Sequence, residues 1–205
     1  MAFPTTGVID DFTRANNADL GTNWTVIDSL PGLQLISNAA AAGSAAICAE
    51  FWNVGNFGAD SEAYVTIATL PGNAGNVDLF VRLTTETGTA DGYGVEFAQE
   101  SGTDQTYAYR MDNLVATQLG ASVGANFSAG DKLGLEAIGT TINVYRFTAS
   151  AWAQILTRTD ATYTTAGKIG ILADTTAVRL DDYGGGTVVV ASATSKRKAL
   201  LGVGQ

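Results

Sequence analysis

The sequence predicts an all-β protein, either a sandwich or a barrel, on three observations. About a dozen short apolar stretches recur at roughly 8–14 residue spacing, which is typical of closely packed strands. The 24 Gly residues supply many turns, and no stretch of the chain shows the helical period. Hydrophobic residues make up 46% and charged residues 15% of the 205 residues, which indicates one core-forming domain.

The first third of the chain predicts three short strands, at residues 7–13, 33–37 and 46–52. The third contains Cys48, the single cysteine, which we expect to be a small buried hydrophobe. The polar loop after the first strand contains Trp24. This side chain has two interpretations, a platform for a ligand or a plug in one end of the core.

The middle of the chain alternates with a period of two. Residues 63–70 alternate and stop at a Pro-Gly turn. Four further stretches have an apolar face opposite a face that carries charge, as expected for a sheet covered on one side: residues 77–83, 93–97, 107–111 and 133–138. In the third of these, the pattern predicts that Tyr107, Tyr109 and Met111 face the core.

The remaining strands are predicted at residues 141–147, after a tight turn, and at 151–158, 168–173 and 178–186. The last stretch resembles residues 8–14, because each has a short apolar run, an Asp-Asp pair and then an aromatic residue. We therefore expect the two ends of the domain to lie side by side as antiparallel strands and to close one sheet.

Composition excludes several functions. The net charge of −9 argues against nucleic-acid binding, which needs a basic surface. The absence of His removes the commonest general base, and a single Cys excludes an internal disulfide and a Cys-based zinc site. Residues 1–7 lack the features of a signal peptide, and no apolar run reaches membrane-spanning length. We expect no membrane insertion.

Three segments together resemble concanavalin A-like (laminin-G-like) jelly-roll domains. They are DDFTR at 10–14 with LGTNW at 20–24, GDKL at 130–133 with INVY at 142–145, and LDDYGG at 180–185. The resemblance covers residues 7–186. It implies an antiparallel two-sheet jelly-roll sandwich.

The resemblance also implies a function, because such domains serve as sugar-binding modules, glycosidase accessory domains and virion proteins of tailed bacteriophages. The start without a leader and the basic-then-apolar C-terminus look most like the phage proteins. This implies a non-enzymatic structural or adhesive component of a phage virion, on a tail, fibre or capsid surface, made in the host cytoplasm. Its partners would be other virion proteins, further copies of itself, and host-surface glycans.

Two other functions stay open. One is a soluble carbohydrate-binding module that uses its concave sheet face. The other is a glycan-active enzyme, but the glucanase pattern of carboxylates along one strand is absent, as are a Gly-x-Ser-x-Gly elbow and a phosphate loop. We therefore predict that the protein is not an enzyme.

The C-terminal residues predict a separate extension. We divide the chain into a domain at 1–186 and an extension at 187–205. The extension is either a frayed tail or an assembly anchor that docks on an acidic partner surface. The anchor residues would be the basic and apolar group Lys196, Arg197, Lys198, Leu200 and Leu201.

The charged residues Arg82, Glu96, Arg110 and Glu136 form the candidate ligand site. The predicted alternation points all four away from the core, so that they would form an alternating row on the exposed sheet face if their strands are neighbours. Lectin-like domains bind sugars with such groups. The alternative is a solvated row of salt bridges, each of which stabilises the fold by only about 0–1 kcal/mol.

The acidic pairs Asp10, Asp11, Asp181 and Asp182 form the candidate metal site. They would crowd together if the terminal strands pair, and crowded carboxylates need a cation or a proton. Ca²⁺ takes several oxygen ligands, and the family resemblance implies a structural Ca²⁺ near the ends of the domain. The alternative is that one Asp of each pair faces solvent while the other caps backbone amides.

Overall fold

The computed structural model describes residues 2–85 and 89–189. These residues form sixteen strands and no helix. In chain order the first eight strands are β1 (Val8–Asp10), β2 (Trp24–Val26), β3 (Leu33–Leu35), β4 (Ala40–Ala42), β5 (Cys48–Trp52), β6 (Ser61–Thr69), β7 (Gly75–Leu83) and β8 (Gly92–Gln99). The other eight are β9 (Gln105–Asp112), β10 (Val115–Gln118), β11 (Val123–Gly124), β12 (Lys132–Ile138), β13 (Thr141–Thr148), β14 (Ala151–Thr159), β15 (Lys168–Ala173) and β16 (Arg179–Thr187).

The strands form two sheets of eight. Sheet A has the order β14-β13-β12-β6-β16-β4-β3, with β1 beside β16, and sheet B has the order β10-β9-β8-β7-β15-β5-β2, with β11 beside β9. Every pairing between these strands is antiparallel. The predicted all-β, two-sheet antiparallel sandwich is confirmed. No helix that could span a membrane occurs in the described part of the chain.

The two ends of the domain pair, as the repeated Asp-Asp pattern predicts. Strand β1 lies antiparallel to β16, with Val8 opposite Gly184 and Asp10 opposite Tyr183. Strand β16 also pairs with β6 and β4, so it lies inside sheet A and does not close its edge. The pairing therefore fastens the N-terminus to the middle of the sheet.

Trp24 fills the core beneath these terminal strands. Its side chain is 6% exposed and packs against the rings of Phe12, Trp52 and Tyr183. The interpretation of Trp24 as a plug is confirmed. Cys48 is likewise buried and free, in agreement with its predicted role as a small hydrophobe.

The main core lies between the sheets and takes alternate residues from most strands, because successive side chains of a strand point to opposite faces. Strand β7 contributes Val77, Leu79 and Val81 to this core, and β12 contributes Leu133 and Leu135. These residues are fully buried or nearly so. The predicted inward faces of β7 and β12 are confirmed at these positions.

A second apolar cluster covers the outer face of sheet B. It includes Phe80 from β7 and Tyr109 and Met111 from β9, with Tyr107 packed at its side. Ala108, between the two tyrosines, belongs to the core between the sheets. The prediction that Tyr107, Tyr109 and Met111 face the core is therefore wrong. The more apolar face of β9 points outward, whereas the inward face combines Ala108 with polar residues, so alternation indicates the wrong face as inward.

The N-terminal segment covers part of the outer face of sheet A. Phe3 stacks on Tyr145 with ring centroids 4.1 Å apart and meets Trp152 edge-on. The backbone N–H groups of Thr5 and Thr6 each donate a 2.7 Å hydrogen bond to Glu62 Oε1. This cover leaves the outer face of sheet B as the face that carries an open apolar groove.

Candidate functional site

A groove of about 230 Å³ lies on the outer face of sheet B. Its floor consists of outward side chains from five neighbouring strands, β9, β8, β7, β15 and β5. One wall is the segment after β2, with Ile27 and Leu30. The opposite wall is the turn after β9, with Leu114, and strand β10, with Ala116. We call this feature the sheet B groove.

Apolar side chains form most of the groove surface. The floor includes Phe80, Tyr109, Met111 and Leu172, which belong to the second apolar cluster or pack against it. Ligand pockets in proteins are mostly apolar, with a few polar groups that fix the orientation of the ligand. The sheet B groove has this composition.

Two carboxylates stand side by side in the groove floor. Asp78 on β7 lies directly opposite Glu96 on β8 in the strand register, and both side chains line the groove. Side chains in such cross-strand pairs are close neighbours, because their Cβ atoms lie roughly 4.5–5.5 Å apart. Asp174, just beyond the end of β15, is a third carboxylate in the lining.

Tyr109 holds the buried carboxylate in place. Its hydroxyl donates a 2.5 Å hydrogen bond to Oδ2 of Asp78, which is 3% exposed. The ring of Tyr109 reaches Asp78 across Gly94, where an added Cβ would lie 2.3 Å from Cζ of the ring. Glycine at position 94 is therefore required by this close approach and not by its backbone angles.

The other oxygen of Asp78 has no partner. Its Oδ1 atom is buried and makes no hydrogen bond with any described residue. Burial raises the pKa of Asp78 well above its usual value, and the nearby carboxylates Glu96 and Asp174 add to the rise. Burial also raises the pKa of Glu96, although a hydrogen bond from Tyr107 opposes this effect. The pair is thus poised to take up a proton or a positive charge.

The predicted row of four charged residues does not exist as one surface. Arg82, Glu96 and Arg110 lie in sheet B, whereas Glu136 lies on β12 in sheet A. Of the four residues, only Glu96 lines the sheet B groove. Ligand binding by the other three stays a prediction, with no common site to support it.

Arg82 departs from the predicted direction because of a β-bulge. Between Phe80 and Leu83, β7 has one more residue than its partner β15, and Arg82 has φ 54°. The side chain is 2% exposed and donates to the backbone carbonyls of Ala59 and Tyr163. It ties two loops together instead of facing solvent.

Arg110 lies on the opposite face of β9 from the groove tyrosines. Its guanidinium contacts Asp112 at 2.8 Å and Asp160 at 3.2 Å. Asp160 also accepts a 2.7 Å hydrogen bond from the Tyr93 hydroxyl. Arg110 therefore belongs to a polar network that joins the two sheets at one edge.

Glu136 is 2% exposed on the outer face of sheet A. Its Oε2 atom accepts hydrogen bonds from Asn143 at 2.9 Å and from the Tyr145 hydroxyl at 3.1 Å. Tyr145 is in turn stacked under Phe3. Glu136 thus lies beneath the N-terminal cover.

The four aspartates of the predicted metal site do not fit a bound cation. Asp10 already accepts hydrogen bonds from Arg14 at 2.6 Å and from Trp24 Nε1 at 2.7 Å. Burial raises the pKa of Asp10, but these donors outweigh that effect and hold the pKa below its usual value. Asp182 faces Lys132 at 3.4 Å. No group of three or more acidic, His or Cys side chains in residues 2–85 and 89–189 could hold a metal ion.

Asp11 and Asp181 complete the predicted metal set. Asp11 is exposed and accepts a hydrogen bond from the Thr13 backbone N–H at 2.9 Å. Asp181 accepts one from the Asp182 backbone N–H at 2.9 Å, and burial raises its pKa. Both therefore cap backbone amides. The alternative to a metal site predicts one capping and one solvent-facing Asp in each pair, whereas in the first pair the exposed Asp11 and its neighbour Asp10 both accept from backbone amides.

The predicted assembly residues Lys196, Arg197, Lys198, Leu200 and Leu201 lie outside the described residues. The final strand runs to Thr187, one residue beyond the predicted domain boundary. The next two residues stay close to the domain, since Val188 N donates to Asp60 O at 2.9 Å and Val189 N donates to Thr5 Oγ1 at 3.1 Å.

Sequence reasoning missed most of the groove, including Asp78, Tyr109 and Asp174. One signal was present: Asp78 and Glu96 both occupy outward positions of adjacent predicted strands. The pairing register that makes them neighbours is not readable from the sequence, because the alternation of each strand is the same whichever residues face each other across the pair.

No protein-family model matches the sequence, and no curated protein matches it. Solved structures do resemble the fold. The carbohydrate-binding module CBM66 from Bacillus subtilis is 16% identical with a TM-score of 0.53, over 80% of this chain and 91% of that chain. The VIP36 exoplasmic/lumenal domain, in its Ca²⁺/Man3GlcNAc-bound form, is 11% identical with a TM-score of 0.64, over 94% of both chains.

A third similar structure, the GH43 BlXynB protein from Bacillus licheniformis, is 13% identical with a TM-score of 0.59. The match covers 90% of this chain but only 39% of that protein, so the likeness is to one part of it. At these identities the likeness concerns the fold alone. The chain therefore has the jelly-roll sandwich fold of concanavalin A-like lectin domains.

Proposed function

We propose that this protein is a carbohydrate-binding module that holds its ligand in the sheet B groove. The observation that carries the proposal is the groove itself, with Asp78 and Glu96 paired on an otherwise apolar floor. A sugar has apolar ring faces and hydroxyl donors. Its ring can cover the apolar floor while its hydroxyl groups donate to carboxylate oxygens.

The similar structures support this proposal. CBM66 is described as a carbohydrate-binding module, and the VIP36 domain has structures with mannose-containing glycans. The groove on sheet B likewise combines an apolar floor with hydrogen-bonding groups. A non-catalytic role follows from the same proposal, since binding needs no further chemistry from these side chains.

The test is a glycan array followed by titration calorimetry with the best ligand. Ala116→Trp would fill the groove from its rim, where Ala116 is exposed. Ala153→Trp is the matched control, because Ala153 is exposed on β14 at the far edge of sheet A. We expect Ala116→Trp to lower affinity at least about tenfold and Ala153→Trp to leave it unchanged. Equal affinity in both variants would reject the groove as the site.

A virion setting remains a proposal that rests on the resemblance of the sequence to phage structural proteins. In that setting the protein would contact other virion proteins or copies of itself through residues 190–205. The test compares the native mass of the full chain with that of a chain ending at Val189, which preserves β16 and its contacts. An oligomer that becomes monomeric on truncation supports self-assembly through residues 190–205, and a monomer in both cases contradicts self-assembly through them.

A further inference from the structure

The sheet B groove is lined by negative charge without any positive charge. Its lining includes three carboxylates, Asp78, Glu96 and Asp174, and no Lys or Arg among the described residues. Glu96 and Asp174 are partly exposed, so a ligand in the groove can reach them. Asp78 lies just beneath, with its Oδ1 atom buried and unpartnered.

The basic side chains of the described residues are engaged elsewhere. Five form ion pairs with acids outside the groove, as in Arg14 with Asp10 and Arg146 with Asp131. The others donate to backbone carbonyls, as Lys168 does to Asn53 O at 3.1 Å. The full set is Arg14, Arg82, Arg110, Lys132, Arg146, Arg158, Lys168 and Arg179. The negative charge of the groove is therefore not neutralised by these residues.

The arrangement is unfavourable without a ligand. Three carboxylates close together repel one another, and burial deprives Asp78 of the solvation that would offset this repulsion. The pKa values of Asp78 and Glu96 are raised for the same reason, because their ionised forms are unfavourable in the groove. A positively charged group placed between them would remove it.

The shape and lining of the groove favour an organic cation over a metal ion. Its floor and walls are largely apolar, with Phe80, Met111 and Leu172 beside the carboxylates. The carboxylates do not form a group of three that could hold a metal ion among the described residues. An apolar surface suits the carbon skeleton of a ligand, whereas a hydrated metal ion gains nothing from it.

We infer that the sheet B groove selects glycans that carry a protonated amine, such as polymers of glucosamine with free amino groups, over neutral glycans. The inference rests on the proposed function and adds the charge class of the ligand. The ammonium group contacts Glu96 and Asp174 above Asp78, and the sugar ring covers the apolar floor. Charge-assisted hydrogen bonds of this kind are about twice as strong as neutral ones.

The experiment is calorimetric titration of the full chain with two oligosaccharides of equal length. One is a glucosamine oligomer with free amino groups and the other is its N-acetylated counterpart. The titrations run from mildly acidic to neutral pH, because the amine must be protonated while Glu96, whose pKa is raised by burial, must be ionised. We expect the amine form to bind about tenfold more tightly at low ionic strength. The preference should shrink at about 1 M salt, where charges are screened beyond roughly 3 Å.

Variants separate a specific site from general attraction to an acidic protein. Glu96→Gln should remove most of the preference, because it should weaken binding of the amine form more than binding of the N-acetylated oligomer. Asp11→Asn removes one negative charge far from the groove, keeps the acceptor for Thr13 N, and should change nothing. Equal loss of preference in both variants would overturn the inference, because it would make the attraction nonspecific.

The outcomes also distinguish the two proposals. Binding of both oligomers with equal affinity would overturn the charge preference and leave the carbohydrate-binding function standing. Binding of neither oligomer, together with an array on which no glycan is retained, would contradict the proposed function itself. Tighter binding of the amine form that Glu96→Gln abolishes supports both.

Discussion

Tyr109 reaches across Gly94 to donate a 2.5 Å hydrogen bond to Asp78, so three strands cooperate to hold one buried carboxylate in the groove floor. The ring and the carboxylate are each 3% exposed. Because of this contact, the position of the buried carboxylate depends on the position of the tyrosine ring, which is part of the apolar floor. A change at any of the three positions should alter both stability and binding.

Gly94→Ala tests that dependence. The new Cβ would lie 2.3 Å from Cζ of Tyr109, so the ring must move and its bond to Asp78 must break. We expect a loss of about 1–3 kcal/mol in the free energy of unfolding, as for other overpacked sites. Urea denaturation measures it. Gly102→Ala is the control, because nothing lies within 4 Å of its added Cβ. A loss no larger than that of the control would show that the ring is not fixed there.

Because of Glu50, we expect the free energy of unfolding to fall as the pH rises. Its side chain is 4% exposed and accepts a 3.0 Å hydrogen bond from Leu33 N. Burial raises its pKa from 4.5 to about 7, and the hydrogen bond opposes this only in part. The folded state therefore holds a proton that the unfolded state has lost between those two values. The stability from this group is fully present below pH 4.5 and is lost as the pH rises through about 7.

The loss amounts to roughly 3 kcal/mol, at 1.36 kcal/mol for each unit of pKa shift. Glu50→Gln should flatten the dependence of the free energy of unfolding on pH, because the amide keeps an acceptor for Leu33 N and does not ionise. Glu100→Gln, at an exposed position, is the control. Denaturation curves at pH 5 and pH 8 with the same slope of stability in Glu50→Gln and the wild type would contradict this assignment.

Asp10 is a half-buried acceptor that holds the first terminal strand and the loop after it in place. Its carboxylate accepts from Arg14, from Trp24 Nε1 and from Phe12 N, and Trp24 is buried. Asp10→Ala leaves the indole N–H without a partner, and we expect a cost of about 2–4 kcal/mol in thermal or urea unfolding. Asp11→Ala, which loses an exposed acceptor, should cost less than about 1 kcal/mol.

The ion pairs of Asp10 and Asp182 predict how the melting temperature responds to calcium. Because Arg14 and Lys132 already face Asp10 and Asp182, added Ca²⁺ or a chelator should leave the melting temperature unchanged. A rise in melting temperature with Ca²⁺ that Asp10→Ala abolishes would instead restore the metal site predicted from the sequence.

The sequence alone was sufficient to predict the fold class and the pairing of the two ends. Neither the period-2 alternation nor the repeated Asp-Asp pattern depends on which residues of two neighbouring strands face each other. The sequence did not show which face of β9 points inward. The larger apolar side chains of Tyr107, Tyr109 and Met111 favoured the wrong face, since the inward apolar residue is the small Ala108. The sequence also failed for Arg82, because a one-residue bulge reverses the side of every later residue in a strand. The groove depends on the first of these features, the outward face of β9, so its residues could not be assembled from strand patterns alone.

The most direct test of the account is to map ligand contacts by chemical-shift perturbation in NMR spectra, with the tightest glycan from the array. If the groove is the site, the largest shifts should belong to backbone amides of residues 78–80, 94–96, 109–116 and 172–174. Shifts centred on Arg82, Arg110 and the loop at 160–163 instead, with the groove amides unmoved, would contradict the groove as the binding site.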